Sequence, residues 1–244
     1  MKLRVIGCGD AFGSGGRANT CFLVEAAAGP FLIDCGASAL IKLKEYGVDP
    51  DQIGTVLISH LHGDHFGGLV FLLREASLYK RRTKRLTIAG PPGLRERLNS
   101  ALEVFFPGGS QPPSTYELDL RELPAGVESV VDMTCVTPFP VHHPCGAVPY
   151  ALRIRVEDRI IAYTGDTIWR DCLVDAGAGA DLFLCEAYTY SQPMGSHLDY
   201  ATVRGKIPAI KAKRTLLTHL GPEMIARMHE LELEVAIDGM IVTF

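Results

Sequence analysis

No stretch of the 244-residue chain offers the roughly 18 consecutive apolar residues needed to span a bilayer, so no membrane-crossing helix and no membrane partner are expected. The seven cysteines are odd in number and include no C-x-x-C pair. That excludes a disulfide framework and fits reduced thiols in the cytoplasm. Positive charge is not in excess: 24 Lys and Arg against 28 Asp and Glu leave a net charge of -4. A surface built throughout for nucleic acid is therefore not expected, and only a local basic patch is left open. The opening "MKLRVIGCGD" enters a strand pattern directly, without a charged segment and a long apolar one, so no secretory signal is expected. Internal repeats and low-complexity tracts are also lacking, which excludes a solenoid.

What is present is an ordinary globular balance, 47% hydrophobic and 21% charged, with enough length for a large core. Short apolar runs rich in branched residues recur between Gly, Pro and Asp and read as strands: 2–7, 21–25, 31–34, 55–59, 85–89, 116–122, 130–138, 150–156, 159–164, 181–186, 215–218 and 239–243. Apolar residues at the 3.6 period predict helices over 66–77 and around 94–102, with others over 38–46, 199–213 (bent at Gly205 and Pro208) and 222–231. Strands come in consecutive pairs, and helices punctuate both halves. The pattern reads as α/β: two sheets face to face with helices outside, in a single domain over 1–244. "FPGGSQPPST", residues 106–115, is the most loop-like segment, a surface connection or a lid.

One stretch carries the chemistry. "ISHLHGDHFGG", residues 58–68, places His60, His62, Asp64 and His65 within six positions behind an apolar run. Four ionisable groups so close repel once charged, and each costs free energy when desolvated. His60 and His62 leave the strand on the same side, Gly63 permits a turn, and Asp64 and His65 begin the next helix. Zinc takes imidazole nitrogen and carboxylate oxygen at about 2.0–2.2 Å. Two ions about 3.5–4 Å apart would accommodate all four groups.

His-x-His-x-Asp-His after a strand resembles the motif of the metallo-β-lactamase superfamily, and the resemblance extends along the whole chain. "VHHP" (141–144), "AYTGDT" (162–167) and "LLTHLG" (216–221) follow in the order of that family. The resemblance implies a four-layer αββα sandwich and a dinuclear centre, with two Zn2+ expected and Mn2+ or Fe as substitutes. His60, His62 and one of His142 and His143 resemble the first metal site, with His143 chosen because it precedes proline. Asp64, His65 and His219 resemble the second, and Asp166 the bridging carboxylate. Of eight histidines, only His142, His197 and His229 fall outside this set. Two ions would bring the pKa of a shared water from 15.7 to about 7 and neutralise charge on the substrate oxygen.

Two segments narrow the branch. "IGCGDAFGSGGRANTCFLV", residues 6–24, resembles the N-terminal glycine-rich loop of ribonuclease Z. "CEAYTYSQPMGSHLDYATV", residues 185–203, resembles the phosphodiesterase branch, in which the histidine at position 197 assists the leaving phosphate oxygen. Asp64 and His197 are accordingly the expected catalytic residues, as proton acceptor and as acid. The tRNA-gripping arm of long-arm ribonuclease Z has no counterpart between positions 143 and 166. His197 is followed by Leu-Asp, where ribonuclease Z usually has Ser or Thr, and Cys8 and Cys21 do not reproduce the structural-zinc cluster of small-diester relatives. The reading is a cytoplasmic dinuclear phosphodiesterase acting on a small phosphodiester, with Arg17 a candidate anchor and a homodimer admitted from the resemblance. The basic run "KRRTKR", 80–85, reads as a solvated helix end with a polyanion site as the alternative. Other readings are a tRNA 3′-end endonuclease, a sulfatase, lactonase or thioesterase on the same metals, and a metal-binding protein without turnover.

Overall fold

Side chains along a strand alternate between its faces, and this chain loads both faces of its central strands with apolar groups. The computed structural model describes residues 1–244. Its first half forms β1 (Lys2–Gly7), β2 (Cys21–Ala26), β3 (Gly29–Ile33), α1 (Ala39–Glu45), β4 (Thr55–Leu57), α2 (Gly63–Phe66), α3 (Gly68–Leu78), β5 (Leu86–Gly90), α4 (Leu94–Phe105) and β6 (Leu118–Glu122). The second half forms β7 (Ser129–Val131), β8 (Thr134–Pro140), β9 (Tyr150–Val156), β10 (Arg159–Tyr163), α5 (Cys172–Gly177) and β11 (Leu182–Glu186). It ends with α6 (Tyr200–Ile210), β12 (Thr215–Thr218), α7 (Pro222–Ala226), β13 (Glu234–Val235) and β14 (Ile241–Thr243). Strand order is β14-β1-β2-β3-β4-β5-β6 in one sheet and β13-β12-β11-β10-β9-β8-β7 in the other.

Three apolar layers follow from the alternation. Phe22 and Val24 of β2 face inward with Phe31, Ile33 and Leu57 and meet Leu152, Ile154 and Tyr163 of the second sheet. Cys21 and Leu23 face outward and, with Val56 and Ile88, receive Leu43, Leu69, Leu73 and Leu98 of α1, α3 and α4. On the far side Ala162, Phe183 and Leu217 receive Leu173, Val203 and Met224 of α5, α6 and α7. The result is the αββα sandwich. No helix is long and apolar enough to cross a membrane.

The helix expected over 66–77 is two helices, because the one-turn α2 stops at Gly67 before α3 begins. Asp64 and His65 therefore lie in α2, not at the head of the long helix. The strand expected over 130–138 is a hairpin, β7–β8, turning at Asp132 with φ of 48°. The helix expected over 199–213 ends at Ile210, where Lys211 turns left-handed at φ of 57°; Gly205 and Pro208 lie inside it. Pro222–Ala226 is followed by a separate 3-10 turn, and α5 has no counterpart in the sequence reading. Residues 106–115 pack back on α3 and α4, with Glu103 accepting from the Gly108 and Ser110 amides, so they are no lid. What positions the site is strand direction. The runs β3-β4-β5-β6 and β10-β11-β12-β13 are parallel, and the loops leaving their carboxyl ends converge.

Candidate metal centre

The histidine-bearing turn is held from below by the chain leaving β3. Asp34, in the left-handed region at φ of 56°, accepts from the Ser59 amide and hydroxyl, both at 2.8 Å, and from His65 Nδ1 at 2.7 Å. The Cys35 amide donates to the His65 carbonyl at 2.6 Å, and the Gly68 amide to the Cys35 carbonyl at 2.9 Å. Backbones approach so closely that a Cβ on Gly36 would lie 2.2 Å from the Asp64 carbonyl oxygen, and one on Gly68 2.2 Å from that of Gly36. The glycines that matter are thus Gly36 and Gly68; Gly63, expected to make the turn, is an ordinary helical residue with open space around its Cα.

Above this floor the residues gather in two neighbouring groups, and a third, Asp166, Glu186, His197 and His219, overlaps the second. His60, His62 and His143 bring one nitrogen each within 4.8 Å of one another, as do the donor atoms of Asp64, His65, Asp166 and His219. Asp166 touches both groups: its Oδ2 lies 3.3 Å from Nε2 of His65 and of His219, and 3.8 Å from Nε2 of His60 and of His143. The side chains fit a metal. His60 Nε2, His65 Nε2, Asp166 Oδ1 and His219 Nδ1 are buried without a hydrogen bond, a costly state for groups that are metal donors by nature. The outer nitrogens are anchored. His143 Nδ1 donates to the Ser196 carbonyl at 2.7 Å, which turns its Nε2 lone pair inward, and the His65–Asp34 pair does the same for His65. Neighbouring His142 is exposed, and its amide donates to Thr167 Oγ1 at 3.1 Å, so His143 is the member of the pair that faces the group.

Burial and charge oppose one another here. Burial holds His60 well below its ordinary pKa. Burial also opposes charge on His65 and His219, but Asp166 and Asp64 outweigh it, lifting His65 well above the imidazole range and His219 to about 9. Asp64 and Asp166 stay well below the carboxylate range against their burial, held there by His65 and His219. The carboxylates thus gather protons onto the imidazoles, protons that a metal ion would displace.

His197 stands beside this group. Its Nδ1 lies 3.0 Å from Oε2 of Glu186 and 3.9 Å from Asp166 Oδ2, and Tyr188 stacks on its ring at 4.8 Å. Burial opposes the imidazolium, yet the Glu186 hydrogen bond and charge raise its pKa. Glu186 is fully buried at the end of β11 and also accepts from the Thr167 amide. Neither Glu186 nor Asp34 is among the expected site residues, although each is an acid closing a strand, at "CEAY" and "LIDCG". Arg97 of α4 is also outside the expected set: Nη1 donates to the carbonyls of Leu61 at 3.2 Å and Cys145 at 2.8 Å, and Nη2 to Gly146 at 3.4 Å.

A cleft of about 300 Å³ opens over the group, walled by Ala11, Phe12, Tyr188 and Met194 beside the histidines and acids. Arg17 is not among its walls. Its guanidinium donates to the Ala236 carbonyl at 3.2 Å and reaches the Met228 sulfur at 3.0 Å, which corrects the expectation of an anchoring cation. The basic run also lies elsewhere. Arg82 is buried and donates to the Asp51, Ile53, Lys84 and Arg85 carbonyls, Lys80 pairs with Asp49, and Arg85 with Asp119.

Known proteins resemble the chain in both sequence and fold. The family model described as "Anti-Pycsar protein Apyc1" matches residues 1–233. Ribonuclease Z of Methanococcus maripaludis (strain C6) is 34% identical over 153 residues, which cover 63% of this chain and 49% of that protein, so the match spans about half its length. The probable metallo-hydrolase YhfI of Bacillus subtilis is 26% identical over 226 residues, 90% of this chain and 87% of that one. The crystal structure of YhfI, a metallo-β-lactamase-fold protein, superposes with a TM-score of 0.78 at 22% identity, covering 99% and 98% of the two chains. The short form of human tRNase Z superposes with a TM-score of 0.78 at 23% identity over 100% and 99%.

Proposed function

The chain belongs to the Anti-Pycsar protein Apyc1 family and has the metallo-β-lactamase fold, and from that premise we propose that it is a dinuclear metal-dependent hydrolase acting on a small phosphodiester. His60, His62 and His143 would hold one ion, Asp64, His65 and His219 the other, and Asp166 both. Two Zn2+ are the expected ions, with Mn2+ or Fe able to substitute in such donors. Bound there, the ions would supply an acidified water and a counter-charge to the phosphoryl oxygens. Asp64, whose carboxyl is kept well below its ordinary pKa by His65 and His219, would accept a proton in the attack, and His197, whose pKa Glu186 raises against burial, would give one to the departing oxygen.

The observation that carries the reading is Asp166 Oδ2, which reaches nitrogens of both groups while its other oxygen has no hydrogen bond. A protein that merely stored a metal would have no need of a second donor group sharing one carboxylate. The size of the cleft and the short β9–β10 hairpin between positions 143 and 166 favour a small diester over folded RNA. Ribonuclease Z relatives make tRNA 3′-end cleavage the second reading. Seven unpaired cysteines support a reducing, cytoplasmic setting, and the apolar layer shared by both sheets supports one domain over 1–244.

Elemental analysis of protein loaded and desalted should give close to two zinc ions per chain, and chelation should abolish hydrolysis of bis(p-nitrophenyl) phosphate. Sulfate esters, lactones and thioesters should be poorer substrates. A stoichiometry near zero sinks the reading. Salt-sensitive trimming of precursor tRNA with a higher kcat/KM than the diester moves the assignment to the second reading.

A further inference from the structure

Of the two imidazoles in the Asp64–His65–Asp166–His219 group, only His65 has a ring nitrogen anchored outside it, on Asp34. His219 Nδ1 is buried without a hydrogen bond, and its Nε2 has Asp64 and Asp166 as polar partners. The rings of His65 and His197 stack on it at 5.3 and 5.4 Å, which limits its tilt and leaves its reach to the backbone. That backbone is unusual. At φ of 56° His219 lies in the left-handed region, which a residue with a side chain keeps only where its neighbours enforce it. One enforcing contact crosses between the sheets: the His219 amide, past β12, donates to the carbonyl of Cys8, past β1, at 2.9 Å.

Cys8 is held in turn by Asp238. Oδ1 of that carboxylate accepts from the Cys8 amide at 3.0 Å and the Cys8 thiol at 3.2 Å, and Oδ2 accepts from the Ala18 amide at 2.7 Å. Cys8 and Ala18 stand on the two legs of the β1–β2 loop, which the Gly9 amide joins at the Ala18 carbonyl, 2.7 Å away. One carboxylate therefore closes the neck of the loop, and hydrogen bonds to an ionised acceptor are roughly twice as strong as neutral ones. Asp238 belongs to the segment between β13 and β14 that carries the chain from one sheet to the other. That segment is pinned on both sides, by the Ala236 amide on the Leu217 carbonyl at 2.8 Å and by the Val5 amide on the Met240 carbonyl at 2.9 Å. An acid that only capped two amides would be a plain structural support. Here both polar groups of the Cys8 backbone are spent on one path, the amide on Asp238 and the carbonyl on His219.

We propose that Asp238 is a positioning residue for the metal group that contains His219, acting on that histidine through the backbone of Cys8. Asp238 is not itself among the donors. The proposal rests on the reading of these residues as a metal centre, and it assigns Asp238 to one of the two ions only.

Zinc-loaded wild-type, Asp238→Ala, Asp238→Asn and His219→Ala proteins are titrated with a chelator, and the zinc retained per chain is measured. In Asp238→Ala one ion should leave at about 10–100-fold lower chelator than in wild type, the usual effect of losing an outer support. The other should leave where His219→Ala, which lacks a donor of the affected site, gives up its remaining ion. Asp238→Asn keeps the shape but can accept from only one of the two amides, so the same ion should be weakened by a smaller factor. That variant carries the test if the alanine protein does not fold. In a His219→Ala background, Asp238→Ala should add nothing to the loss, which a general loosening of the fold would not reproduce. Unchanged retention, equal weakening of both ions, or the full loss repeated without His219 would overturn the proposal while wild type still holds two zinc ions. Wild-type protein that holds no zinc takes down the metal reading, and the proposal with it.

Discussion

At the scale of residues, His197 and Glu186 are where the proposed proton donor can be told from a metal ligand. Replacing His197 by Ala should lower kcat for alkyl phosphodiesters by about 10²–10⁴, the usual range for one general acid, with metal content unchanged. The loss should shrink for p-nitrophenolate, which departs without a proton. Glu186 would act through His197, whose Nδ1 lies 3.0 Å from its carboxylate. An acid must be protonated to work, so activity falls as pH rises through the His197 pKa. Glu186 holds that pKa up against burial. Glu186→Gln keeps the shape and removes the charge, so the alkaline limb of the kcat profile should move to lower pH. Because Glu186 also sits within 4.8 Å of Asp166 and His219 donors, metal content is the deciding second readout. Zinc lost in Glu186→Gln would make it a ligand and remove the orienting role.

At the scale of elements, the donors are only as well placed as the loops that carry them. His60 and His62 leave β4, and His143 follows β8, in different sheets. Arg97 joins the two loops, because one guanidinium serves the carbonyls of Leu61 and of Cys145 and Gly146. Arg97→Ala should weaken zinc at the His60–His62–His143 group by about 10–100-fold, the usual effect of losing an outer support, and Arg97→Lys should recover part of it. Competition with a chelator would read this, as a loss confined to one of two ions; equal weakening of both would point to general loosening instead. The same contacts explain what could be read in sequence. The motif of residues 60–65 is legible because its spacing is local, and the strand ends at Asp166 and His219 because each closes a branched apolar run. Asp34 and Arg97 were not, since each matters through a partner far along the chain: Asp34 meets His65 31 residues on, and Arg97 meets Cys145 48 residues on. Glu186 meets His197 only 11 residues on, but nothing in an acid that closes a strand says that it faces that imidazole. The break between α2 and α3 was hidden for a related reason. Phe66, Leu69, Leu72 and Leu73 keep helical period across it, and only the close approach of Gly68 to Gly36 requires the chain to turn there.

At the scale of the whole molecule, the centre ties the two sheets together, since His60, His62, Asp64 and His65 come from one and His143, Asp166 and His219 from the other. A metal that binds only this arrangement adds its binding free energy to the stability of the fold. Protons compete for the same nitrogens, which sets the pH dependence. His219 is raised from the ordinary imidazole value to about 9, so its contribution to the metal-free protein is complete below about pH 6.5 and is lost as pH rises through about 9. His65 is raised in the same direction. Asp64 and Asp166 are lowered, so their contribution is present above about pH 4 and is lost only in stronger acid. The metal-free protein should therefore lose stability between pH 6.5 and 9. Zinc bound as proposed would have to displace the protons held by His65 and His219, so its apparent affinity should climb over the same interval, about tenfold per pH unit for each proton displaced. The gap in Tm between zinc-loaded and chelator-treated protein should widen from pH 6 to pH 9 in thermal denaturation at constant ionic strength. A gap that stays flat or narrows would mean that His65 and His219 do not give their nitrogens to the metal, and that the protons on them serve the carboxylates alone.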